Sequence, residues 1–129
     1  MAEEEKPVRV QMGILDNQGS ENDSHAIVFF TFADGWHGYP DTPGTAASGF
    51  VPTKVTFEFP EGLVTVGDVL APEGGSVYEG HISIRQKFNH RPGVSGQFTI
   101  KAKVSFQVCN DQMCLPPDSI EMETVITIR

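Results

Sequence analysis

From Phe98 to Phe106 the chain reads Phe-Thr-Ile-Lys-Ala-Lys-Val-Ser-Phe, an unbroken alternation of apolar and polar side chains. Successive side chains of an extended strand point to opposite faces, so this run is a strand with one face in a core and the other in water. Thr53-Lys54-Val55-Thr56-Phe57-Glu58-Phe59 has the same period. Segments rich in Val, Ile, Phe and Thr extend the reading to strands over Val8 to Asp16, His25 to Ala33, Thr53 to Phe59, Leu63 to Val69, Val77 to Phe88, Gln97 to Val108 and Ile120 to Ile128. Turn signals separate them at Asn17-Gln18-Gly19-Ser20, Pro60-Glu61-Gly62, Pro72-Glu73-Gly74-Gly75 and Arg91-Pro92-Gly93, and no segment carries a convincing helical pattern. Seven short strands joined in this way fit an all-β, immunoglobulin-like antiparallel sandwich, without the Cys-Trp-Cys set of antibody domains. Tyr39 to Pro52, with its Pro, Gly, Ser and Ala, is too irregular for a strand and is expected on the surface.

At 129 residues and 39% hydrophobic content the chain can bury one ordinary core. We expect a flexible tail over 1–6 and a single domain over 7–129. Nine Lys and Arg face seventeen Asp and Glu, a formal charge of −8, and no basic stripe interrupts that balance. Nucleic acid is therefore excluded as an expected partner. No apolar run approaches the roughly 18 residues needed to cross a bilayer. The start, Met1-Ala2-Glu3-Glu4-Glu5-Lys6, has no apolar signal region behind a basic one.

The two cysteines lie in Val108-Cys109-Asn110-Asp111-Gln112-Met113-Cys114-Leu115-Pro116-Pro117. Side chains five apart on a straight strand face opposite ways, so pairing them requires a bend that brings the Cα atoms within about 7 Å. Asn110-Asp111 tolerate turn conformations, and a cross-turn disulfide fits. Such a bond is either a structural staple or an exchanging one. A staple is common in exported domains, yet a loop this short removes only about 2 kcal/mol of unfolded-state entropy. Pro116 and Pro117 lack amide hydrogens and leave a strand edge open beside Cys114. Zinc is not expected, because two thiolates need two further ligands and the four histidines are scattered. Cys109, Met113, Cys114 and Met122 are soft ligands suited to Cu(I), but a blue-copper loop needs a His that the stretch from Cys109 to Met122 lacks. We expect no metal and no cofactor, with Met113 half covering the disulfide.

Three features, in this order, resemble the N-terminal periplasmic domains of the thiol:disulfide interchange protein DsbD family, which includes the copper-sensitivity suppressor group. They are Gly35-Trp36-His37-Gly38-Tyr39 followed by Pro43-Gly44, then Phe59-Pro60-Glu61-Gly62, then Cys109 to Cys114 with its trailing Leu115-Pro116-Pro117. The resemblance spans roughly residues 25 to 118. It implies an immunoglobulin-like sandwich that receives electrons from a thioredoxin-like domain and passes them to periplasmic disulfide isomerase-type proteins. It also implies an exported, periplasmic location and a full-length protein anchored in the membrane, this segment not itself inserting. The redox role passes to Cys109 and Cys114. Some family members separate the cysteines by five residues instead of four, so the reversal here is one residue tighter. Such members also cap the disulfide with an aromatic loop tip, which Val69 to Gly75 lacks; Leu70 or Tyr78 would substitute. Trp36, His37 and Tyr39 either fill the end of the core or flank the sulfurs, and Pro116 borders them. Asp111, Asp118 and Glu121 disfavour a thiolate, and no Lys or Arg lies between Lys103 and Arg129 to offset them. The expected activity is thus thiol-disulfide oxidoreduction with the reactive thiolate supplied by the partner, and Cys114 is the expected site of the mixed disulfide. The competing function is a non-catalytic exported sandwich that binds a partner and carries a structural disulfide.

Overall fold

Seven strands form in the computed structural model, which describes residues 6–19, 23–73 and 75–129: β1 Val8–Leu15, β2 Ser24–Phe32, β3 Lys54–Glu58, β4 Leu63–Leu70, β5 His81–His90, β6 Gly96–Phe106 and β7 Asp118–Ile128. Residues 1–5 of the expected tail, Ser20 of the first turn signal and Gly74 of the expected capping loop lie outside the described residues. The strands make two antiparallel sheets, β1-β2-β5-β4 and β3-β6-β7, stacked as an immunoglobulin-like sandwich.

Alternation decides which side chains meet between the sheets. Ala26, Val28, Phe30 and Phe32 of β2 and Ile84 and Phe88 of β5 face Ile100, Ala102, Val104 and Phe106 of β6, all buried. Phe88, Ile100, Ile126, Ile128 and Leu63 pack one end of the core; Phe30, Phe32, Val104, Phe106, Val108 and Tyr78 pack the other. Gln86 occupies a core position as a buried amide. Its Nε2 donates to the carbonyls of Gly67 at 3.1 Å and Lys87 at 2.9 Å, where the β4 register shifts between Val66 and Leu70. A buried polar group is tolerated here because the bulge leaves carbonyls for it to satisfy.

Two expectations shift. The strand expected from Val77 begins at His81, because Gly80 takes φ of 65° and turns the chain, while Tyr78 pairs with Gly38 instead. The segment from Tyr39 to Pro52 is neither structureless nor wholly on the surface. It holds a five-residue helix, α1 Pro43–Ala47, with Pro43 in its first turn and the Thr42 side chain accepting from the Thr45 amide. Thr45 is buried and its hydroxyl donates to the Pro40 carbonyl at 2.6 Å. The Phe50 ring stacks on Tyr39 with centroids 4.2 Å apart, and the Thr53 amide donates to the Tyr39 carbonyl at 2.7 Å. The loop thereby closes on itself, as compact Ω-type loops do.

His25 on β2 has a buried Nδ1 without a hydrogen-bond partner among the described residues. Burial lowers its pKa below the usual 6.5, helped by Arg85 and Lys87 and opposed by Asp23. Below that value the unfolded chain binds the proton more readily than the folded one, so this contribution to stability is intact above about pH 6.5 and is lost as pH falls through the lowered folded value. Urea unfolding should show wild type losing more stability on acidification than His25→Leu. Parallel pH profiles for the two proteins would refute the assignment.

Candidate functional site

Asn110 builds the turn that joins the cysteines. Its amide donates to the Met113 carbonyl at 2.8 Å, while its side-chain Oδ1 accepts from the amides of Gln112 at 2.9 Å and Met113 at 2.8 Å. Asp111 and Gln112 are left as a two-residue tip. The Leu115 amide returns to the Val108 carbonyl at 2.9 Å, so Cys109 and Cys114 sit opposite each other between two hydrogen-bonded rungs. Pairs in that position bring their side chains closest. Their Cα atoms are 4.0 Å apart and the sulfurs are bonded.

The other edge of Cys109 pairs with the segment that follows Gly35. His37 and Cys109 exchange both backbone hydrogen bonds at 3.0 Å, and Gly38 and Tyr78 do likewise at 2.9 and 2.8 Å. A small irregular ladder thus runs Cys114, Cys109, His37, with Tyr78 joined one step along through Gly38. Its two faces are distinct. Val108, Trp36 and Tyr78 pack into the sandwich core. Cys109, His37 and Tyr39, each one position out of phase with those, share the opposite face with Cys114.

On that outer face His37 Nε2 lies 3.0 Å from the Tyr39 hydroxyl, and the two rings meet edge to face at 5.3 Å. Burial raises the Tyr39 pKa, so its phenol stays protonated. Gln107 is two residues before Cys109 and on its side of the strand. It accepts from the Val51 amide at 3.0 Å and donates to the Leu115 carbonyl at 3.2 Å, tying the α1 loop to the cysteine hairpin. Cys109 is 1% exposed, whereas Cys114 is exposed and its neighbour Met113 is 53% exposed. The disulfide therefore has one sulfur-bearing residue inside the protein and one at its surface.

The candidate contacts separate accordingly. His37 and Tyr39 lie on the sulfur-bearing face; Trp36 and Tyr78 belong to the core face. Tyr78 donates its hydroxyl to the Pro72 carbonyl at 3.3 Å and so props the 71–73 segment from below; burial, with Asp41, raises its pKa. Leu70 is exposed at the end of β4, opposite Arg85, and no ladder rung joins it to the cysteines. Pro116 is exposed and lines a groove of about 700 Å³ that runs between the β1 and β7 edges, with Val8, Val10, Val108 and Leu115 among its walls. Gln107 and Phe50 carry no signal in the sequence that marks them as site residues, and Gly38 enters there only within the Gly35–Tyr39 segment. Gln107 reads there as an ordinary outward polar residue of an alternating strand, and nothing local reveals that its outer face will be covered.

These features define a class: an immunoglobulin-like sandwich with a cross-strand disulfide in a hairpin at one end, one half-cystine buried and the other accessible. The family described as "Thiol:disulfide interchange protein DsbD, N-terminal" matches residues 6–125, and the chain belongs to it. The family is periplasmic and implies thiol-disulfide interchange. Among solved structures, the chain is similar to the reduced N-terminal domain of DsbD from Neisseria meningitidis, at 16% identity over 85% of each chain and a TM-score of 0.39. It is also similar to the GAE domain of GGA2p from Saccharomyces cerevisiae, at 13% identity over 99% of this chain and 95% of that one, with a TM-score of 0.47. A search of curated protein sequences returns no match. No helix among the described residues is long and apolar enough to cross a membrane.

Proposed function

We propose that this chain is a periplasmic electron-relay domain. It accepts two electrons from a thioredoxin-like domain and passes them to disulfide isomerase-type or reductase partners through Cys109 and Cys114. The observation that supports this best is the unequal exposure of the two half-cystines, since exchange needs one accessible sulfur to attack and benefits from a protected partner. A donor thiolate attacks the Cys114 sulfur, the disulfide breaks, and its electron pair leaves on Cys109. The second donor thiol resolves the mixed disulfide and leaves the domain reduced. In the second half, the Cys114 thiolate attacks the acceptor's disulfide. Cys109 then displaces the acceptor as a dithiol and restores the Cys109–Cys114 bond. Exposed Met113 and Pro116, on either side of Cys114, are the proposed docking contacts.

Equilibration with defined thiol buffers tests this reading. A relay disulfide should have a potential above about −300 mV, in the range of disulfide-handling proteins. A lower value would favour the non-catalytic binding module with a structural staple. A second expectation separates the same readings. The bond closes a very short loop, worth about 2 kcal/mol. Neither core cluster includes a cysteine, so the reduced domain should keep its circular dichroism spectrum and a cooperative thermal transition. Loss of the fold at room temperature on reduction would make the disulfide structural.

A further inference from the structure

Attack at Cys114 has a consequence for the other sulfur. Cys109 must leave as a thiolate, and it is 1% exposed. An anion held away from water is costly unless it is paired or protonated, and burial in apolar surroundings raises a thiol's pKa. The hairpin offers no help, because no Lys or Arg occurs between Lys103 and Arg129, and Asp111 in the turn adds charge of the wrong sign. The α1 loop from Thr42 to Pro52, which packs over this face through Phe50, contains no titratable residue.

One basic side chain shares the face. His37 exchanges both backbone hydrogen bonds with Cys109, which puts the two Cβ atoms side by side at about 5.5 Å or less. Its Nε2 is held by the Tyr39 hydroxyl at 3.0 Å, and Tyr39 is in turn fixed by its stack on Phe50. That leaves Nδ1, the ring nitrogen nearer the backbone and so nearer the rung, for the sulfur. Other titratable groups on the flanking segments are Asp41, beyond Tyr39, and Tyr78 and Glu79, where Tyr78 lies on the core face.

We infer that His37 is the proton donor and acceptor for Cys109 during exchange, with Tyr39 as the residue that positions its ring. This rests on the relay function proposed above. In the reductive half, a donor thiolate bonds to Cys114 and the disulfide electron pair moves to Cys109. The imidazolium of His37 gives its proton to that sulfur, which leaves a neutral thiol and a neutral imidazole. In the oxidative half, the neutral imidazole takes the proton back as Cys109 attacks Cys114 in the mixed disulfide, and the acceptor departs as a thiolate.

The test is stopped-flow reduction of the oxidised domain by dithiothreitol, with each rate divided by the thiolate concentration at that pH. Wild type should show a pH-dependent step, faster on the acid side. His37→Gln should lose the step, running about 10²-fold slower at the acid end and level with wild type at the alkaline end. Tyr39→Phe, which keeps the imidazole but releases its Nε2, should show a smaller step. The inference is overturned by a His37→Gln profile that overlays wild type or by one slowed equally at every pH, and an undiminished step in Tyr39→Phe removes the positioning role. Circular dichroism of each variant identifies a folding defect, in which case His37→Asn is measured in its place against the same expectation. Failure of the relay reading looks different: wild type itself would resist reduction or show a potential below about −300 mV.

Discussion

With Cys109 replaced by serine, the domain should trap a thioredoxin-like protein as a mixed disulfide at least about tenfold faster than the reciprocal Cys114→Ser variant, because exchange rates follow access to the attacking sulfur. Cys114 is exposed, flanked by exposed Met113 and followed by two prolines that keep the local backbone out of the sheet. Cys109 is 1% exposed and hydrogen-bonded through its backbone to His37 on its far side. A partner sulfur reaches the first without rearrangement and the second only after the hairpin opens. Non-reducing electrophoresis of timed, alkylated samples measures both rates. Equal trapping, or faster trapping through Cys109, would mean that the attacked sulfur is misassigned. No trapping by either variant would return the disulfide to a structural role.

Gly38→Ala should be the most damaging single-methyl change near the site. A Cβ at Gly38 meets Phe32 Cζ at 2.9 Å and both Phe32 Cε1 and Thr53 Oγ1 at 3.0 Å. Phe32 is buried and stacked on Phe30 at 6.3 Å, and Thr53 is 2% exposed, so neither can step aside cheaply. Overpacking of this kind costs about 1–3 kcal/mol. The displaced rung is the one between Tyr78 and the His37–Cys109 pair, so thermal melting should fall by several degrees and the rate of disulfide exchange should change with it. A variant with unchanged melting would show that the ladder has more room than these distances allow.

The strands were legible because alternation is a local property. Phe98 to Phe106 has only one way to place its apolar side chains on a common face, and β6 indeed buries Ile100, Ala102, Val104 and Phe106. The turn at Asn110 was legible for the same reason: its side chain satisfies amides two and three residues on, within its own segment. Where sequence reading slipped, partners changed. The strand expected to continue to Val108 leaves β6 at Phe106, because beyond it the chain exchanges β7 for His37 as its neighbour. Val77 to Gly80 look like strand residues and do pair at Tyr78, but with Gly38 of a segment forty residues earlier.

The sequence alone thus determined the sandwich class, the strand inventory and the bend between the cysteines, since each depends on side-chain period or turn chemistry within about ten residues. Only the tertiary structure decided which half-cystine is buried, that Trp36 and His37 face opposite ways relative to the sulfurs, and that Gln107 clamps a loop 56 residues distant in sequence. Those facts depend on which segments become neighbours across the ladder, and period-two alternation fixes the two faces of a segment without saying what will cover either one.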